Sequence, residues 1–172
     1  GINIKRYVMC GRNFEYFSED PYLTGRLAAG YVRGLEEKGV GACVKHYACN
    51  SQEHGRTVNS SEISLRALNE IYLRGFKYTL KYSRPSSIMT SYNRINGVYV
   101  NESEYMLQQK LRQEYGFDGL IMSDWCAVRN KGKSFGTGLN IEMPLSKMSY
   151  ELMDRDYGVS FDDDDLIRLD RE

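Results

Sequence analysis

Short, unbroken apolar runs alternate with longer amphipathic stretches along this chain, and that alternation constrains the fold more than any other feature. The runs are residues 41–45, 87–91, 120–123 and 139–142, with a strand-like remnant at 2–4. A strand that is covered on both faces is apolar throughout, whereas a half-exposed strand alternates apolar and polar residues. Unbroken strands separated by helices therefore predict an α/β fold, with one parallel sheet and helices on its outer face.

The first amphipathic stretch has clear helix boundaries. Asp20 is a residue type that caps helices, and Pro21 suits the first helical position after such a cap. An apolar stripe recurs at four-residue spacing, at Leu23, Leu27, Tyr31 and Leu35. Because Gly39 is typical of the residue that ends a helix, we predict a helix that begins at Pro21 and ends before Gly39.

Two further helices are predicted from capping boxes, in which an N-cap side chain is followed three residues later by Glu. Asn59 with Glu62 predicts the start of the second helix, and Asn101 with Glu104 predicts the start of the third. The apolar stripe of the second helix continues to about Tyr82, and Gly116 is expected to end the third helix.

Charge argues against two classes of protein. Lys and Arg number 23 and Asp and Glu number 23, so the formal net charge is zero. Nucleic-acid binders and proteins that bind anionic membranes usually carry a basic excess. No apolar run approaches the roughly 18 residues that a membrane-spanning helix needs. We therefore expect neither a nucleic-acid partner nor a membrane partner.

The four cysteines are not spaced for a metal site. No two of them form a C-x-x-C pair, and the chain has two histidines, His46 and His54. This pattern predicts no metal site and no disulfide framework. Neither a P-loop nor a dinucleotide-binding glycine motif follows a strand, so we expect no cofactor. Free thiols favour a reducing compartment such as the cytoplasm.

Polar, ionisable and aromatic residues follow three of the apolar runs. Lys45 and His46 come at the end of the first, Tyr92 follows the second and Asp124 follows the third. In parallel α/β folds the functional groups collect at the carboxyl ends of the strands. A carboxylate among cations, hydrogen-bond donors and aromatic rings suits a polyhydroxylated substrate. The alternative, for any one of these residues, is a solvated loop or a helix cap.

Longer motifs make the interpretation more specific. They are residues 11–21 (GRNFEYFSEDP), 45–47 (KHY), 89–93 with 96–97 (MTSYN, NG), 116–125 (GFDGLIMSDW) and 139–144 (LNIEMP). In this order they resemble glycoside hydrolase family 3, the β-glucosidase family. Several of the motifs are long, so a chance match is a poor explanation.

The resemblance covers about residues 1–144 and implies a fold and a domain. It implies that residues 1–172 are a fragment of the family's catalytic domain, an incomplete TIM-type (β/α)8 barrel. Residues 145–172 are predicted to be a C-terminal segment, with a helix at 146–157 and an acidic run at 162–165. A complete barrel takes about 250 residues. The missing barrel strands and a C-terminal α/β sandwich domain are therefore expected in the full-length protein.

The resemblance also assigns site residues. Asp124 lies where the family keeps its catalytic nucleophile. The implied substrate-binding residues are Arg12, Lys45, His46, Arg56, Tyr92 and Trp125. A nucleophilic carboxylate has to stay ionised, and nearby cations favour its charged form. Glu53, His54 and Glu142 are interpreted as structural.

The implied function is that of a retaining, exo-acting β-glucosidase. Such an enzyme hydrolyses terminal non-reducing β-D-glucosyl residues of a β-glucoside or small oligosaccharide, here through a glycosyl-enzyme intermediate on Asp124. The family takes its acid/base glutamate from the sandwich domain, so we expect this chain alone not to hydrolyse glycosides. Two alternatives stay open: a non-catalytic sugar-binding or structural fragment without the acid/base domain, and a β-xylosidase of the same family.

Overall fold

Helices and short strands alternate over residues 1–144, the part of the chain that the computed structural model describes. The α-helices are α1 (Pro21–Glu36), α2 (Leu65–Ala67), α3 (Arg74–Tyr82) and α4 (Lys131–Gly136). Turns of 3-10 helix lie at Asn13–Glu15 and Val100–Glu102, and π-helical segments lie at Leu68–Tyr72 and Tyr105–Glu114. The strands are β1 (Cys43–Tyr47), β2 (Ser60–Ser61), β3 (Ser87–Thr90), β4 (Arg94–Ile95), β5 (Val98–Tyr99) and β6 (Leu120–Met122).

The central sheet is parallel, which confirms the predicted α/β class. Its strands lie in the order β1–β3–β6. The segment at Ile2 lies beside β1, because its amide donates to the carbonyl of Lys45 at 2.7 Å. At the opposite edge, Ile141 forms a parallel bridge with Met122. The run 139–142 is therefore a single bridge at the edge of the sheet rather than the strand that its apolar pattern predicts.

One apolar core lies between the sheet and the helices. Its most deeply buried side chains include Tyr47, Phe76, Ile88, Leu107, Leu111 and Ile121. The rings of Tyr47 and Phe76 meet edge to face, with their centroids 5.0 Å apart. Burial of each large apolar side chain stabilises the fold by about 1.5–3 kcal/mol. This packing fixes the strands, and with them the residues at the carboxyl ends of the strands.

Helix α1 begins where the sequence predicts, but three of the four residues of its apolar stripe do not face the core. The side chain of Asp20 caps the helix by accepting a hydrogen bond from the amide of Leu23 at 2.8 Å. The exposed fraction is 48% for Leu23, 47% for Leu27 and 65% for Tyr31. The large apolar residues of this stripe therefore cover little of the core.

The buried face of α1 consists of small residues with one larger one: Thr24, Gly25, Ala28, Ala29 and Val32. These small side chains allow α1 to pack closely against α3. A Cβ atom on Gly25 would lie 2.8 Å from the carbonyl oxygen of Gly75 and 2.5 Å from Cβ of Tyr78. The close approach of the two helices therefore depends on the glycine at position 25.

The second predicted helix starts later than its capping box indicates. Its N-cap is Ser64, whose hydroxyl accepts a hydrogen bond from the amide of Ala67 at 3.2 Å. The prediction of a start at Asn59 with Glu62 is wrong, because the following residues form β2 and pair with β4. A backbone pairing between segments far apart in the chain has overridden a local capping signal.

The capping box at Asn101 and Glu104 is also wrong. Asn101 is buried within a 3-10 turn, and its side chain donates to the carbonyl of Ala127 at 3.3 Å. The hydroxyl of Ser103 accepts from the amide of Met106 at 3.3 Å. The third helix accordingly begins at Tyr105. Asn101 makes a tertiary contact with Ala127 instead of capping this helix.

Two predictions fall beyond the part of the chain just described. The terminal helix at 146–157 and the acidic run at 162–165 both lie outside the described residues. Within residues 1–144, no helix is both long enough and apolar enough to cross a membrane.

Candidate active site

The carboxyl ends of the parallel strands bring three predicted site residues together. Asp124 follows β6, His46 belongs to the end of β1, and Arg12 precedes the first 3-10 turn. The Nε2 atom of His46 lies 3.6 Å from Oδ2 of Asp124. The Nη1 atom of Arg12 lies 3.9 Å from the same oxygen. These three side chains form the centre of the candidate site.

The two carboxylate oxygens of Asp124 have different environments. Oδ1 accepts a hydrogen bond from the amide of Trp125 at 2.7 Å. Oδ2 is buried and has no hydrogen-bond partner among the described residues. A buried polar atom without a partner is rare in folded proteins and is often explained by function. One oxygen of Asp124 is thus fixed by the backbone, while the other lies within 4 Å of Arg12 and His46 without a hydrogen bond to either.

Tyr92 and Arg56 form a second part of the site. The guanidinium of Arg56 lies over the ring of Tyr92, 4.4 Å from its centroid. Glu53 holds Arg56 through a contact of 2.7 Å, and the side chain of Asn50 donates to Glu53 at 3.2 Å. Burial raises the pKa of Tyr92, and the charge of Asp124 raises it further. The phenol therefore remains a protonated donor near Asp124.

His46 is buried and neutral. Burial lowers the pKa of His46 to about 2, and the charges of Arg12 and Lys45 contribute to this shift. The side chain of Asn3 fixes its backbone, since Oδ1 accepts from the amide of His46 and Nδ2 donates to its carbonyl, both at 2.9 Å. The imidazole therefore contacts Asp124 without carrying a positive charge.

Glu15 connects Lys45 to Arg12, and it is not among the site residues predicted from the sequence. One carboxylate oxygen accepts from Nε of Arg12, and the other lies 3.2 Å from Nζ of Lys45. Burial raises the pKa of Glu15, but the hydrogen bond and charge of Arg12 together with Lys45 outweigh that effect and lower it. Its position three residues after Arg12, within the motif of residues 11–21, is the signal that could have identified it.

The remaining predicted residues have less contact with the centre. The side chain of Trp125 is 61% exposed, although its amide bonds Asp124. His54 is exposed. Glu142 forms an ion pair of 2.6 Å with Lys131, and both side chains are largely buried. Glu142 is therefore already paired, in keeping with its interpretation as structural.

The chemistry available to this arrangement is limited. A free carboxylate oxygen next to a guanidinium, a neutral imidazole and a phenol can bind hydroxyl groups or attack an electrophilic carbon. Within residues 1–144, no group of three or more His, Cys, Asp or Glu is placed to hold a metal ion. The individual roles of the site residues stay predictions.

Comparison with known proteins identifies the family. Residues 2–149 match the N-terminal domain of glycosyl hydrolase family 3. The match covers most of the chain. The chain belongs to glycosyl hydrolase family 3, which confirms the resemblance drawn from its motifs.

Its relatives include glycosidases of two specificities. The thermostable β-glucosidase B of Acetivibrio thermocellus is 47% identical over 146 residues, which cover 85% of this chain and 19% of that protein. An exo-α-(1→6)-L-arabinopyranosidase of Bifidobacterium longum is 51% identical over 146 residues, with the same shares of 85% and 19%. The chain thus spans about 19% of the length of the curated relatives it matches.

Solved structures agree with the fold. β-Glucosidase 3B of Thermotoga neapolitana, in complex with glucose, superimposes with a TM-score of 0.85 at 42% identity, covering 92% of this chain and 24% of that one. The family 3 β-glucosidase of Bifidobacterium adolescentis gives a TM-score of 0.87 at 45% identity, covering 98% and 25%. The described strands and helices are therefore arranged as in these two solved structures.

Proposed function

We propose that this chain is the part of a retaining β-glucosidase that supplies the nucleophile and several sugar-binding groups. The observation that carries the proposal is the asymmetry of Asp124. Its Oδ1 is fixed by the amide of Trp125 at 2.7 Å, and its buried Oδ2 has no hydrogen-bond partner within residues 1–144. A nucleophilic carboxylate needs one free oxygen, held in a defined direction, for attack on an anomeric carbon.

The surrounding groups suit the two steps of a retaining mechanism. In the first step Oδ2 of Asp124 attacks the anomeric carbon while an acid protonates the departing oxygen, and in the second step water releases the sugar. The guanidinium of Arg12, 3.9 Å from Oδ2, places a positive charge beside the carboxylate. Lys45, Arg56 and the neutral His46 supply donors for the hydroxyl groups of the sugar. Trp125 offers its exposed ring as a surface for the sugar or the leaving group.

The proton donor is proposed to come from another part of the protein. Retention requires a second carboxyl group about 5–5.5 Å from the nucleophile. Three glutamates of this chain could be considered for this role, but each already contacts a cation. Glu15 contacts Arg12 and Lys45, Glu53 contacts Arg56, and Glu142 contacts Lys131. A domain outside this chain, the α/β sandwich that the family resemblance implies, would supply the acid.

The same proposal covers the domain. Residues 1–172 would be a fragment of a (β/α)8 barrel whose other strands and helices lie elsewhere in the full-length protein. The exposed stripe at Leu23, Leu27 and Tyr31 supports this, because further barrel elements would cover it. A cavity of about 320 Å³ also lies between α1 and the β1 edge of the sheet, lined by Ile2, Val32 and other residues.

The proposed substrate is a terminal β-D-glucosyl residue, because relatives and solved neighbours are named β-glucosidases and one of them is described in complex with glucose. A second candidate is an α-L-arabinopyranoside, which the relative at 51% identity is named for. The sequence leaves two further alternatives: a β-xyloside as the substrate, and sugar binding without turnover. Assays of several substrates side by side distinguish them.

The full-length protein is incubated with nitrophenyl β-D-glucoside, α-L-arabinopyranoside and β-D-xyloside, beside an Asp124→Asn control. The proposal expects the highest kcat/KM on the glucoside and none above background in the control. A higher kcat/KM on the arabinopyranoside or the xyloside would show that this sugar, and not the glucoside, is the substrate. Sugar binding with no turnover on any of the three would support a non-catalytic role and contradict the proposal.

A further inference from the structure

We propose that Glu15 is a positioning residue: it holds the guanidinium of Arg12 away from Asp124 and so keeps the attacking oxygen of Asp124 free. The inference rests on the proposed role of Asp124 as nucleophile. It concerns a residue that contacts Arg12 and Lys45 rather than Asp124, and that acts through Arg12.

Glu15 is fixed on one side and engages Arg12 on the other. Its Oε2 lies 3.2 Å from Nζ of Lys45, and its Oε1 accepts from Nε of Arg12. The side chains of Glu15 and Arg12 are only 16% and 19% exposed, so little water competes for the contact. Because Lys45 anchors the carboxylate, Glu15 does not follow Arg12 toward another partner.

Asp124 is the competing partner for Arg12. Nη1 of Arg12 lies 3.9 Å from Oδ2 of Asp124, whereas a charge-assisted N–H···O hydrogen bond settles at about 2.7–2.9 Å. A movement of about 1 Å would therefore close the gap. Oδ2 is buried and has no hydrogen-bond partner in the described part of the chain, so it would accept that bond.

Such a bond would block the reaction. The lone pair of Oδ2 that must attack the anomeric carbon would be directed at Arg12, and the ion pair would have to break in each catalytic cycle. Glu15 prevents this by giving the Nε edge of Arg12 a stronger, fixed partner. The arrangement places the positive charge of Arg12 near the carboxylate of Asp124, but at a distance too great for a hydrogen bond.

The test compares Glu15→Gln with a matched control in the full-length protein. Glu114 also contacts two cations, Lys77 and Lys110, but it lies at the end of the third helix rather than at strand ends. Glu114→Gln therefore removes the same kind of charge outside the site. The rate of glycosyl-enzyme formation on an aryl β-D-glucoside is expected to fall by about 10²-fold in Glu15→Gln, since a displacement of 1 Å has that effect, and to stay at the wild-type value in Glu114→Gln.

A second set of variants, which lack Arg12, distinguishes a positioning role of Glu15 from a general loss of structure. In Arg12→Gln there is no guanidinium to displace, so adding Glu15→Gln is expected to change the rate by less than about threefold. Glu15→Asp, which keeps the charge on a shorter side chain, should recover part of the rate when Arg12 is present. If Glu15→Gln fails to fold, Glu15→Asp is measured instead, with Arg12 present and in the Arg12→Gln variant. Its loss of rate should likewise disappear when Arg12 is replaced.

Either of two results would overturn the inference: a wild-type rate in Glu15→Gln, or an equal fold-loss with and without Arg12. Each leaves the proposed function standing, because Asp124→Asn is measured beside these variants. Wild-type turnover in Asp124→Asn would instead remove the proposed nucleophile, and the inference with it.

Discussion

The Nε2 atom of His46 lies 3.6 Å from Oδ2 of Asp124, yet the two groups do not form an ion pair. Burial of the imidazole, with the nearby charges of Arg12 and Lys45, lowers the pKa of His46 to about 2. His46 is therefore a neutral donor or acceptor at neutral pH. The positive group beside Asp124 is the guanidinium of Arg12, 3.9 Å from Oδ2, and not the imidazole.

This neutral histidine makes the stability of the fold depend on pH. The pKa of His46 is about 2 in the folded protein, and a histidine in an unfolded chain has a pKa of roughly 6.5. As the pH falls below the unfolded value, the unfolded chain gains a proton that the folded chain does not bind, so stability decreases. At about pH 5 the expected contribution is a loss of roughly 2 kcal/mol relative to neutral pH.

Urea unfolding of wild-type and His46→Asn protein at neutral pH and at about pH 5 checks this. The wild type should lose more stability on acidification than the variant, by roughly the 2 kcal/mol that linkage predicts. Parallel pH dependences for the two proteins would mean that His46 is not held neutral.

A second prediction concerns the affinity for substrate. Glu53 holds Arg56 at 2.7 Å, and Arg56 lies over the ring of Tyr92. Glu53→Gln leaves the guanidinium of Arg56 without its anionic partner, so a group that is proposed to bind sugar hydroxyls loses its anchor. We expect KM to rise about tenfold with little change in kcat, the signature of lost uniform binding.

Steady-state kinetics on an aryl β-D-glucoside measure both constants. Glu62→Gln, at an exposed position ahead of α2, is the control and should behave as wild type. An unchanged KM in Glu53→Gln, or a fall in kcat alone, would contradict the binding role of Arg56.

A third prediction concerns the packing of α1 on α3. A Cβ atom at Gly25 would lie 2.8 Å from the carbonyl oxygen of Gly75, so Gly25→Ala should destabilise the protein by about 1–3 kcal/mol. Gly30 lies in the same helix, where an added methyl group would have no atom within 4 Å, and Gly30→Ala should stabilise the protein by about 0.5–1 kcal/mol. Opposite shifts of the unfolding midpoint are expected for the two variants, and a shift of the same sign would contradict the close crossing.

The strands and the start of α1 could be predicted because their signals are local. An unbroken apolar run, or Asp20 followed by Pro21, specifies structure within a few residues, and the sheet and the cap both formed as expected. The start of the second helix could not be predicted in this way. Asn59 and Ser64 are both good N-cap residues, and the choice between them depends on pairing of β2 with β4, which lies far along the chain.

The same distinction applies to the site. The places of Lys45, His46 and Asp124 at the carboxyl ends of strands could be predicted from the apolar runs beside them, whereas their roles stay predictions. Glu15 and Asn3 could not, because they act through contacts that exist only in the folded chain. The side chain of Asn3 bonds the backbone of His46 across 43 residues of sequence.

The most direct test of the central claim is to identify the residue that carries the sugar. The full-length protein is incubated with an activated 2-deoxy-2-fluoro-β-D-glucoside, which forms a glycosyl-enzyme quickly and hydrolyses slowly, and the labelled peptide is sequenced by mass spectrometry. The account predicts one added sugar on Asp124, and no label when Asp124 is replaced by Asn. A sugar attached to any other residue, or rapid labelling of Asp124→Asn, would contradict it.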